Sequence, residues 1–154
     1  MKEKIKKSVF LCACLMVVAP VFAQSPSGWL EQTSRLDWNQ TIGNVRRSIQ
    51  RRELKIFLEI DHQNGAIEKG NALRPTYLFI FGNPKVGSVV MECDQKMGIE
   101  LPLKILVWQE EDEKIKIGCY DPLLWADKHD LESCRPVLEK MKSILQAISS
   151  EASR

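Results

Sequence analysis

Two apolar runs without alternation, TYLFIFG at 76–82 and LPLKILVW at 101–108, constrain this chain more than any other feature. A strand that is apolar at nearly every position is one with both faces covered, so each run reads as a central strand of a sheet, buried on both sides. Between them lies NPKVGSVVMECDQKMG. Asn83 is placed to cap a helix there, and Pro84 takes the first helical position, where its missing N–H does no harm. Val86, Val89, Val90 and Cys93 form an apolar stripe, so a helix crosses between the two central strands.

The flanking segments show which layers surround that sheet. In ELKIFLEID, Leu54, Ile56, Leu58 and Ile60 fall on one side and Lys55, Phe57, Glu59 and Asp61 on the other. One core face and one wet face is the pattern of an antiparallel sheet with helices on one side. In DWNQTIGNVRRSIQRR, Trp38, Ile42, Val45 and Ile49 share one helical face, with Asp37 or Asn39 as the cap. Arg46, Arg47, Arg51 and Arg52 form its polar face, read as solvated surface. Asp61 caps a short helix, HQNGAIEKG, for which Gly70 suits the C-terminus. KIKIGCY alternates again and joins the preceding strand through an acidic hairpin loop, QEEDE. Asp121-Pro122 opens a short turn of helix, and Val137, Leu138, Met141, Ile144, Leu145 and Ile148 mark a terminal helix with Pro136 in its first turn. The fold class is therefore α+β: an antiparallel sheet of about five strands with helices packed against it, one compact domain.

At the N-terminus, basic MKEKIKK precedes the apolar SVFLCACLMVVAPVFA and then polar QSPSG. That is the three-part form of a secretory signal cleaved after Ala23, and a run of this length interrupted by Pro20 falls short of the roughly 20 residues needed to span a bilayer. Lipidation at Cys14 is a weaker alternative. The chain then divides into a signal at 1–23, a linker or edge strand at 24–35, the α+β domain at 36–130 and a terminal helix at 131–154. Export places the product in the periplasm or outside the cell, with no transmembrane anchor after processing. The signal holds Lys2, Lys4, Lys6 and Lys7 against Glu3, so the net +2 of the whole chain becomes −1 after cleavage. Nothing in that balance points to nucleic acid. Cys93, Cys119 and Cys134 remain, in a compartment where one disulfide and one leftover thiol is the natural arithmetic. Which two pair is left open.

Ile60-Asp61-His62, Arg74-Pro75-Thr76, FGNPK at 81–85 followed by Gly87 and Met91, LPLK at 101–104, Val107-Trp108 and Tyr120-Asp121-Pro122 together resemble the bacterial and archaeal domain of unknown function family 302. The resemblance covers roughly residues 36 to 129. It implies a compact α+β domain with helices on an antiparallel sheet, often dimeric, with no established reaction. The chain departs from that pattern with Ser88 after Gly87 in place of threonine, with EEDE in place of an Asp-Gly hairpin, and in having no asparagine between Tyr120 and Asp121.

A strand, a glycine turn and a helix N-terminus at GNPKVGS is a geometry that can hold an anion. It is not a nucleotide loop: Ser88 stands where that loop needs lysine, and Pro84 removes a backbone donor. The expected site is a shallow one beside this turn, lined by His62, Arg74, Asn83, Lys85 and Lys104, taking a small anionic or partly apolar ligand or a partner protein. An enzyme would use His62 as general base with Arg74 or Lys104 holding an anionic substrate. A third possibility is a dimerisation module without a ligand. Lys104 interrupts an apolar run, so its stem covers the sheet while its charge reaches water, or it is buried beside a carboxylate. His62 and His129, 67 positions apart, lack metal-ligand spacing and read as cap or surface residues. No metal and no cofactor is expected, and there is no nucleophile elbow or glycine-rich cofactor fingerprint.

Overall fold

The computed structural model describes residues 23–24 and 28–154. The signal cleavage and the lipidation at Cys14 expected above fall within 1–23, almost wholly outside the described residues. The strands are β1 (Ala23–Gln24), β2 (Trp29–Thr33), β3 (Lys55–Asp61), β4 (Thr76–Gly82), β5 (Leu103–Gln109) and β6 (Ile115–Tyr120). Helices α1 (Trp38–Arg51), α2 (His62–Ile67), α3 (Pro84–Cys93) and α4 (Arg135–Ala152) alternate with them, and 3-10 turns occupy Gln95–Ile99 and Pro122–Asp127. The sheet is antiparallel at every pair, in the order β1-β2-β6-β5-β4-β3. The segment read as a linker or edge strand supplies β2, which lies one strand in from the edge, between β1 and β6.

Local chemistry explains the helix starts. Asp37 accepts from the Gln40 N–H, Asp61 from Asn64 and Asn83 from Lys85, each side chain satisfying a donor that the helix itself leaves unpaired. Helices α1 and α4 lie on one sheet face. Val45 and Ile49 from α1 and Leu138, Leu145 and Ile148 from α4 are wholly buried against Phe79, Phe81, Ile105, Val107 and Ile117.

The central strands depart from expectation on their other side. Leu78, Ile80, Leu106 and Trp108 alternate with the buried residues and are only half-buried, because they lie on the face opposite α1 and α4. Trp29, Trp108 and Tyr120 cluster there, with ring centroids 5.8 and 5.0 Å apart. Gly118 leaves the room they need: a Cβ there would meet Trp29 at 2.3 Å.

The expected alternation of β3 is also corrected. A bulge between Ile56 and Leu58 inserts an extra residue, and everything after it changes face. Leu58 is 52 % exposed, and Glu59 takes the helix side, where it accepts from Arg46 at 2.5 Å and from the Tyr77 hydroxyl at 2.9 Å. Arg46 is thus a structural partner of the sheet, and the Arg46 hydrogen bond holds the Glu59 carboxyl below its ordinary range.

Candidate functional site

The turn at Gly82-Asn83-Pro84 opens onto a cleft of about 330 Å³, at the lower end of the size range of small-molecule sites. Phe57 comes from the bulged edge strand and Leu54 from just before it, Val86, Gly87 and Met91 from α3, Gly98, Leu101 and Pro102 from the connection that follows, Leu103 from the start of β5, and Met141 and Ile144 from α4. Three glycines keep it open. A Cβ on Gly82 would stand 3.8 Å from Phe57, one on Gly87 3.7 Å from Leu101, and one on Gly98 3.6 Å from the Met91 sulfur, all ordinary contacts that a side chain would fill. The bulge matters here too, because it turns the half-exposed Phe57 ring over Gly82.

The wall formed by α3 and the 3-10 turn is fastened twice. Cys93, ending α3, is disulfide-bonded to Cys134, which precedes α4. His129 Nδ1 lies 3.3 Å from Asp94 Oδ2 and its Nε2 3.6 Å from Glu100 Oε1, so one ring spans both ends of the turn. That imidazole is 7 % exposed, and its Nε2 is buried without a hydrogen bond. The surface role expected for His129 is corrected, and its carboxylate neighbour is Asp94, 35 positions away, which no sequence spacing would reveal. Cys119 is the free thiol among the described residues; burial, with Asp121 nearby, pushes its pKa up to about 12 and leaves it inert.

The five residues expected to line one site do not converge. Asn83 borders the cleft, and Lys85 follows it on the first turn of α3. His62 and Arg74 lie at the opposite end of β3 and β4, roughly 20 Å away at about 3.3 Å per residue. His62 is exposed at the start of α2. Arg74 donates to the Gln109 carbonyl at 3.1 Å and to Glu111 at 3.2 Å. Lys104 extends from the sheet face opposite α1 and α4, where its amine donates to the carbonyls of Glu100 at 2.8 Å and Pro102 at 3.0 Å. Burial pulls its pKa below the ordinary lysine value, with Glu100 opposing the shift. Residues at strand ends look adjacent in a sequence, but an antiparallel sheet sends successive ends to opposite sides of the domain.

The α3 N-terminus is not an open anion site either. The Lys85 N–H donates to Asn83 Oδ1, those of Val86 and Gly87 donate to the Asn83 carbonyl, and Pro84 has none. The cap has used the donors. Among the described residues no group of histidine, cysteine and acidic side chains is arranged to hold a metal ion.

This architecture defines a class. The chain belongs to the family described as domain of unknown function DUF302, whose model matches residues 30–148 and so takes in β2 and most of α4. The fold is that of an uncharacterised conserved DUF302 protein from Bacillus stearothermophilus, whose crystal structure superposes with a TM-score of 0.75 at 20 % identity over 82 % of this chain and 98 % of that one. Among curated proteins, the chain is 34 % identical over 112 residues to fluoride-specific ion channel FluC 1 of Brucella suis and to FluC 1 of Brucella abortus. The match covers 73 % of this chain but 44 % and 42 % of those relatives, so the chain spans less than half their length. No helix among the described residues is long and apolar enough to cross a membrane.

Proposed function

We propose that this chain is an exported binding domain whose cleft beside Gly82-Asn83-Pro84 takes up a small, mainly apolar molecule. The observation that carries this is the cleft itself: apolar walls from five segments, held open by glycines at 82, 87 and 98. Concave apolar surface of that size with a few polar groups at its edge is the form of a small-molecule site. The Cys93–Cys134 disulfide supports an oxidising compartment. With the α3 amides already bonded, an anion held at the helix start has no free backbone donors to rest on.

The test is NMR of the protein labelled at its methionine methyls, titrated with a neutral aliphatic alcohol. Met91 and Met141 line the cleft, whereas Met97 is buried outside it. Selective shifts of the first two support the reading. Unmoved methyls, or shifts of all three alike, refute it.

A second reading, self-association, is favoured by the sheet face opposite α1 and α4, where Trp29, Trp108 and Tyr120 cluster and Leu58 is exposed. It requires concentration-dependent sedimentation that Leu58→Glu abolishes; a monomer across the accessible concentration range excludes it.

A further inference from the structure

Resting on the cleft as a ligand site, we infer that its ligand is a single-chain aliphatic carboxylate, with the chain between α3 and α4 and the carboxylate paired to Lys55 at the lip. The walls set the first half. Asn83 is the one polar side chain among the lining residues, and its Oδ1 is engaged in capping α3. At roughly 30 Å³ for a group the size of one water molecule, 330 Å³ holds about ten such groups. That suits one medium-length chain and excludes a two-chain lipid.

The lip sets the second half. Lys55 lies opposite Gly82 in the strand register, and its Nζ stands 5.3 Å from the centroid of the Phe57 ring. Phe57 lines the cleft and is 42 % exposed, so the ammonium stands over the entrance. Other cations of the domain have partners: Arg46 has Glu59, Lys116 has Glu31 and Lys142 has Asp121, while Lys104 gives its amine to two backbone carbonyls. Lys55 joins no ion pair among the described residues. An apolar slot with an unpaired ammonium over its mouth matches a molecule that is hydrocarbon at one end and anionic at the other.

The test is calorimetric titration of the protein with decanoate and with 1-decanol, each below its aggregation limit, in low and high salt. Decanoate is expected to bind about threefold to fivefold more tightly than decanol in low salt, with the gap narrowing in high salt, as an ion pair near water requires. In Lys55→Gln, at an exposed position, the gap should close while decanol affinity stays within twofold. Equal affinities in the unmodified protein, or a gap that survives Lys55→Gln, overturn the carboxylate assignment while leaving the cleft a ligand site. Failure of both compounds to bind overturns the cleft reading and this one together.

Discussion

Gly87 lies in the fourth position of α3, facing Leu101 across the cleft, and this makes Gly87→Ala the most informative single change. Glycine inside a helix is less favourable than alanine by about 0.8–1 kcal/mol. The added methyl would meet Leu101 Cδ1 at 3.7 Å, a normal contact without a clash. Burying it contributes up to about 0.8 kcal/mol more. The variant should therefore be more stable by roughly 1–2 kcal/mol, which for a chain of this size raises Tm by about 2–4 °C per kcal/mol. Urea denaturation with an unchanged slope measures it directly. Gly87→Leu goes further, filling about a third of the 330 Å³ if each added carbon takes the ~30 Å³ of a water molecule. It should lose most of its affinity for decanol while remaining folded. A Gly87→Ala protein less stable than the parent, or a Gly87→Leu protein that binds decanol as before, would refute the idea that glycine is kept here to leave space for a ligand.

The Cys93–Cys134 bridge closes a loop with a sequence separation of 41, so Cys93→Ala with Cys134→Ala should cost about 4 kcal/mol by loop entropy, seen as a lower urea midpoint, and loosen the cleft wall. Glu151 accepts from Arg52 and from the Ser48 hydroxyl, in that order of effect, which holds its carboxyl down at about 2 against an ordinary 4.5. A depressed carboxyl contributes stability above its unfolded pKa and loses it as the pH falls through the folded one. Between pH 4.5 and about 2 the parent should thus lose about 0.5–1 kcal/mol relative to Glu151→Gln, a figure reduced for a side chain that is 47 % exposed; parallel pH–stability curves would contradict this. Glu113 in the β5–β6 hairpin has φ 64°, a left-handed backbone that favours glycine, so Glu113→Gly should raise stability by roughly 0.5–1 kcal/mol in thermal unfolding.

Much of this fold is legible in short windows. The period of α1, the caps at Asp37, Asp61 and Asn83, and the central position of β4 and β5 each depend on residues within about a dozen positions, where backbone donors and side-chain spacing act directly. The turn at Gly82-Asn83-Pro84 is likewise legible as a helix start. That the Asn83 side chain and carbonyl engage the Lys85, Val86 and Gly87 amides is a matter of three-dimensional geometry.

What the sequence alone determined is an α+β chain with strands and helices in a definite order and a crossing helix capped by Asn83. Only the tertiary structure decided that the bulge at Phe57 turns Glu59 inward, that His129 is buried between Asp94 and Glu100, that Cys93 pairs with Cys134, and that His62 and Arg74 stand at the far end of the sheet from the cleft. The physical reason is range: hydrogen bonds and periodicity act between near neighbours, whereas the cleft exists only where segments from Leu54 to Ile144 fail to fill the space between them.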